Sequence, residues 1–202
     1  LDRMPLAAAV GTWVLRTAIA QAAQWMRAGT PIRVGVNLFA AQFRSGSLPE
    51  RIAAKLSENN LPANLIEIEL TETIAVKNSS MVKTALSALR QQGIGIALDD
   101  FGTGYASLSV LKELPVTRLK VDKSFVEGMV AGSPDAVVVD SILRMGQSFR
   151  LDVTAEGIET VEQQEWLKRS GCAEGQGYLY GRPMSASDLD HIMAEQASGL
   201  AA

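Results

Sequence analysis

The sequence predicts an α/β protein: a (β/α) barrel with helices outside and a polar, functional interior. Three observations carry this reading. Strand-like and helix-like segments alternate along the 202 residues, which predicts a parallel sheet. Each clear strand has one branched apolar face and one small or polar face, whereas an open doubly wound sheet buries both faces and reads apolar throughout. The polar faces of successive strands also carry charged or amide side chains near their C-terminal ends, the end of a (β/α) barrel that holds the chemistry.

Taken in order, helical periodicity runs from Leu6 to Ala28, with Val10, Trp13, Val14, Ile19 and Trp25 among its apolar positions, and Gly29 ends it. The strand "IRVGVNL" follows, with Val34, Val36 and Leu38 on one face and Gly35 and Asn37 on the other. A helix spans Pro49 to Asn59, with Ser47 as candidate N-cap. In "LIEIELTE", Ile66, Ile68 and Leu70 oppose Glu67, Glu69 and Thr71. A helix from Ser80 to Gln91 precedes "IGIALDD", where Ile96 and Leu98 oppose Gly95, Ala97 and Asp99. A short helix covers Ala106 to Leu114 and stops at Pro115. "TRLKVDKSF" is the fourth strand, Leu119 and Val121 opposing Lys120 and Asp122. A helix runs from Pro134, a favourable first-turn proline, to Phe149. "LDVTAEGIE" is the fifth strand, with Asp152, Thr154 and Glu156 on its polar face. A helix from Val161 to Ser170, the weaker strand "AEGQGYLYG" and a final helix capped by Ser185 or Ser187 complete the series.

A hydrophobic content of 47% supports one sizeable core, and no linker divides residues 1–202. The net charge of -3 carries no signature of a nucleic-acid polymer or polybasic membrane binder. One cysteine, Cys172, excludes a disulfide framework and a Cys-type zinc site, and reads as a lone buried thiol. No apolar run spans a membrane and no signal peptide is visible, so a cytoplasmic domain is expected.

Asn37, Glu69, Asp99, Lys120 and Glu156 converge at the strand ends. With Asp100 beside Asp99, the cluster holds more negative charge than a two-carboxylate glycosidase site needs. All-oxygen donors without histidine or cysteine suit magnesium or manganese better than zinc. One ion could take Asn37, Glu69 and Asp99, and a second could sit between Asp99 and Asp100, offsetting the repulsion of adjacent carboxylates.

The segments "IELTET", "DDFGTGYASL", "LKVDKSF", "TAEGIET" and "GQGYLYGRPM", in this order, resemble the EAL-domain family. The resemblance covers essentially the whole chain. It implies a modified TIM barrel that hydrolyses cyclic di-GMP to the linear dinucleotide pGpG. It implies metal ligands at Asn37, Glu69, Asp99 and Asp100, a catalytic lysine at Lys120 and a general base or water-orienting glutamate at Glu156. Glu159 and Gln176 match further active-site positions, Asp122 a supporting one, and Glu72 the glutamate that anchors the glycine loop. That loop, Phe101 to Leu108, keeps Gly102 and Gly104. Homodimers and upstream sensor or regulatory domains are common in the family, sometimes in membrane-anchored proteins, and both are expected here.

The chain departs from the family in two places. Serine and arginine are usual after "VNL", where Phe39 and Ala41 stand. The Glu-Ala-Leu motif, whose glutamate is a further metal ligand, is absent. Six strands against the eight of a barrel, and roughly 50 residues fewer than the usual 250, place the gap at two N-terminal strands. A start at Leu1 agrees, so the expectation is an N-terminally incomplete domain. The alternative is a protein that lacks this region, loses one ligand and exchanges elements with a second copy. The function that competes with hydrolysis is a non-catalytic receptor for the same dinucleotide.

Overall fold

A computed structural model describes residues 6–44, 46–77, 79–104, 108–130 and 132–199. Six parallel strands form one sheet in sequential order: β1 (Val34–Asn37), β2 (Ile66–Thr71), β3 (Gly95–Phe101), β4 (Arg118–Val121), β5 (Asp152–Ala155) and β6 (Glu174–Gly175). The connecting helices are α1 (Ala7–Arg27), α2 (Ala40–Phe43), α3 (Leu48–Glu58), α4 (Glu72–Lys77), α5 (Ser79–Gln91), α6 (Leu108–Glu113), α7 (Lys123–Glu127), α8 (Pro134–Phe149), α9 (Val161–Arg169) and α10 (Ala186–Gly199). Among the described residues this is an α/β half-barrel, a six-stranded parallel sheet with helices around it, the architecture of a modified TIM barrel.

The alternation of faces builds the core. Val36, Ile66, Ile68, Leu70, Ile96, Leu98, Leu119, Val121 and Val153 point outward from the sheet and are buried. They pack with Leu15, Ile19, Ile52, Leu86, Leu89, Val139 and Ile142 of the helices. Each fully buried branched side chain contributes about 1.5–3 kcal/mol of transfer free energy. The other face is left for polar residues.

Local signals set most boundaries. Ser133 accepts from the Ala136 amide ahead of Pro134, and Arg150 ends α8 in the left-handed conformation at φ 58. Thr160 and Gln163 form a reciprocal capping box on α9. Ser47 precedes α3, but its side chain makes no cap bond.

Several expectations are corrected. The fourth strand does not reach Phe125, because Asp122 accepts from the Ser124 amide and caps α7 instead. The fifth ends at Ala155, one residue short of Glu156. Glu72 opens α4 rather than closing β2. On α1, Ile19 and Trp25 are buried, but Val10 is 38% and Trp13 64% exposed. Cys172 is free and only partly buried. The start of the predicted helix Ala106 to Leu114 lies outside the described residues; Leu108–Glu113 is helical.

Among the described residues, β1 and β6 are sheet edges that do not pair with each other. Side chains link the two ends of the arc. Arg33, just before β1, donates to both carboxylate oxygens of Glu174 on β6 at 2.9 and 3.0 Å. The Trp25 indole N–H donates to Asp190 of α10 at 2.6 Å.

Candidate active site

The site is built on the inner face at the C-terminal ends of β1 to β5. Pairing sets Asn37 of β1 beside Glu69 of β2, and the Asn37 amide donates to Glu69 at 3.4 Å. Lys120 of β4 is buried at the centre. Its ammonium lies 2.7 Å from Glu69, 3.2 Å from Asp99 and 2.7 Å from Glu156. Asp122 belongs to the α7 cap, where it accepts from Ser124.

The adjacent carboxylates of "DD" are arranged by backbone irregularity. The β3–β4 register shifts between Leu98 and Phe101, and Asp100 takes the left-handed conformation at φ 54. That region is costly for most L-residues, and aspartate is one of the few that tolerate it. The bulge brings both carboxylates to the mouth, where a regular strand would send them to opposite faces. Oxygens of Asp99, Asp100 and Glu156 lie within 4.8 Å of one another. The buried Asp99 Oδ1 has the Lys120 ammonium at 3.2 Å but no hydrogen bond of good geometry among the described residues. The donor set of this trio, carboxylate oxygens without histidine or cysteine, fits a hard divalent cation. Glu69 is held by Lys120 and Asn37 instead, and it stands outside this trio.

Glu156 leaves β5, but its amide still donates to Val121 at 3.1 Å, which extends the ladder by one residue. It lines a cleft of about 230 Å³ with Glu159, Gln176 and Tyr178. Sequence reasoning passed over Tyr178, although it adjoins Gln176 in "GQGY"; its ring carries the Arg182 guanidinium at 4.5 Å. On the opposite flank, Glu72 accepts from the Gly102 amide at 2.9 Å. Gly102 has φ 102, a conformation that needs glycine. A Cβ on Gly104 would stand 2.3 Å from a Glu72 oxygen. The rest of the glycine loop, residues 105–107, lies outside the described residues.

Burial raises the pKa of Glu69 and Glu156; Lys120 opposes the shift and Asp99 adds to it. Burial and the neighbouring Asp99 raise Asp100 as well. Burial disfavours the Lys120 ammonium, but its carboxylate partners outweigh this and hold the lysine above its ordinary value. The consequence for stability has a definite sign. A carboxyl group with a raised folded pKa binds its proton more tightly when folded, so stability falls as pH rises from the ordinary carboxylate pKa through the raised value. In chelator, the melting temperature is therefore expected to rise as pH drops from neutral toward 5. Glu69→Gln is expected to flatten that slope; a parental slope in the variant would remove Glu69 as its source.

Comparison with known proteins identifies the family and the fold. The EAL domain family model matches residues 1–183. The bifunctional diguanylate cyclase/cyclic di-GMP phosphodiesterase MucR of Pseudomonas aeruginosa is 38% identical over 189 residues, covering 93% of this chain and 28% of MucR. The cyclic di-GMP phosphodiesterase PA2567 of the same organism is 36% identical over 190 residues, covering 94% of this chain and 32% of the relative. The chain thus spans less than a third of the length of either relative. The solved MucR phosphodiesterase in complex with c-di-GMP superposes with a TM-score of 0.86 at 38% identity, covering 91% of this chain and 80% of that one. The EAL domain of Mycobacterium smegmatis DcpA gives 0.86 at 35% identity, covering 92% and 84%.

Proposed function

The chain belongs to the EAL family, and on that premise we propose that it hydrolyses one phosphodiester bond of cyclic di-GMP to give pGpG. The observation that carries this reading is the constellation at the strand ends: one buried lysine shared by Glu69, Asp99 and Glu156, with the Asp99, Asp100 and Glu156 oxygens gathered beside it. Three carboxylates beside a single ammonium leave negative charge that a divalent cation would offset, and phosphoryl transfer uses one.

In this proposal Asn37, Glu69, Asp99 and Asp100 hold Mg²⁺ or Mn²⁺, as two ions. When bound, such ions would supply positive charge near the phosphate and would lower the pKa of a bound water. Glu156 takes the proton of the attacking water. Lys120 faces the charge that develops on the phosphate oxygens. Glu159 and Gln176 line the adjoining cleft and contact the dinucleotide. Asp122 supports Asp100, and Glu72 fastens the glycine loop through Gly102 beside Gly104. The greater length of the relatives supports placing this domain in a larger signalling protein, with regulatory or sensor segments and a second copy as partners. No helix of the described residues is long and apolar enough to cross a membrane. The domain itself is read as cytoplasmic, and any membrane anchor lies elsewhere in the protein.

The test is an assay on the full-length protein with cyclic di-GMP and Mg²⁺ or Mn²⁺. Expected is pGpG, and its loss in chelator. Tight binding of the dinucleotide without cleavage would establish the receptor reading instead.

A further inference from the structure

Beneath the candidate site lies a second polar layer. Glu67, Arg118, Thr154 and Glu174 each precede a site residue by two positions: Glu69, Lys120, Glu156 and Gln176. A period of two puts both members of each pair on the inner face, one layer about 6.6 Å below the other. Arg118 is the centre of the lower layer and is only 2% exposed. Its guanidinium lies 3.0 Å from Glu67 and 2.8 Å from Glu174. It donates to Thr154 at 2.9 Å and to Asp152 at 3.2 Å.

Glu67 is buried, and its other cation is Arg33 at 4.0 Å, a half-exposed arginine already committed to Glu174. A buried carboxylate deprived of its cation draws in another or is heavily destabilised. The next cation on this face is Lys120, one layer up on the same strand as Arg118, with a flexible four-carbon stem.

We propose that Arg118 is a positioning residue: by neutralising Glu67 it reserves the Lys120 ammonium for Glu69, Asp99 and Glu156. The guanidinium then does more than tie strands together. It separates a structural anion from a catalytic cation.

The test compares the parent, Arg118→Met and Glu67→Gln/Arg118→Met in the full-length protein. A direct readout is the Lys120 side-chain resonance in ¹⁵N-lysine protein, recorded in chelator without substrate. Arg118→Met is expected to displace it, and the double variant to return it to the parental position, since Glu67, the buried anion below, no longer competes, while Glu174 keeps Arg33 and Asp152 is exposed. The second readout rests on the proposed hydrolysis. Here kcat should drop on the order of 10²-fold in Arg118→Met, the cost of a misplacement of about 1 Å. It should recover to within a few-fold of the parent in the double variant, while melting temperature stays low in both. A purely structural arginine predicts no such recovery. An unmoved Lys120 resonance in Arg118→Met, or a double variant as slow as the single one, overturns the proposal. If Arg118→Met does not fold, the double variant decides: a displaced Lys120 there overturns it equally. A parent that never cleaves cyclic di-GMP defeats the functional reading, while the resonance still reports on Arg118.

Discussion

Glu156→Gln in the full-length protein is expected to lower cyclic di-GMP hydrolysis by roughly 10²–10⁴, the usual contribution of a positioned general base, while dinucleotide binding and fold are retained. Glutamine keeps the shape of the side chain and removes its basicity. Glu156 suits the role because partial burial and the nearby Asp99 raise the pKa of its carboxyl, while the Lys120 ammonium at 2.7 Å opposes that shift and favours the carboxylate. Its placement just past β5 gives it access to the cleft it shares with Glu159 and Gln176. Because its oxygen also lies among those of Asp99 and Asp100, a rival role as metal ligand makes a different forecast. In that case Mn²⁺ affinity falls together with rate. Unchanged Mn²⁺ affinity with lost turnover supports the base; parental turnover would remove Glu156 from the chemistry.

Alternation of side chains made much of this site readable. Glu69, Asp99, Lys120 and Asn37 fall on the inner face because a strand has period two, and the structure puts them within reach of one another. The same rule puts Glu67 and Arg118 on the inner face, but both lie two residues short of the strand tips, where chemistry is expected, and nothing else in the sequence singles out Arg118. The bulge at Asp100 had no readable signal. "LDDFG" is compatible with a regular strand end, and the left-handed turn follows from pairing with β4, a non-local contact. Asp122 shows the opposite failure. An aspartate two residues before a serine is a legible cap, but the branched run "LKV" carried the strand assignment past it. Val10 and Trp13 show a further limit. Periodicity locates the apolar residues of a helix without revealing which of them a neighbour covers.

The second large effect concerns Lys120→Met. One ammonium compensates Glu69, Asp99 and Glu156, all of them largely shielded from solvent. Methionine fills a similar volume without charge, so the three carboxylates would face one another in a low-dielectric pocket. Removing one partner of a buried ion pair costs about 3–5 kcal/mol, and here it strips three acids at once. The variant is therefore expected to melt far below the parent in chelator at neutral pH, with most of the loss recovered at mildly acidic pH, where the carboxyls can take up protons. A divalent cation should restore stability as well, because it supplies the missing charge to the same oxygens. Metal should thus raise the melting temperature more in Lys120→Met than in the parent. Hydrolysis should remain low even with the fold restored, since a cation bound by the carboxylates does not replace a donor aimed at the phosphate. Equal stabilisation of parent and variant by Mn²⁺ would mean that Lys120 and the metal do not share these carboxylates, and the proposed ligand set would have to move away from Glu69 and Asp99.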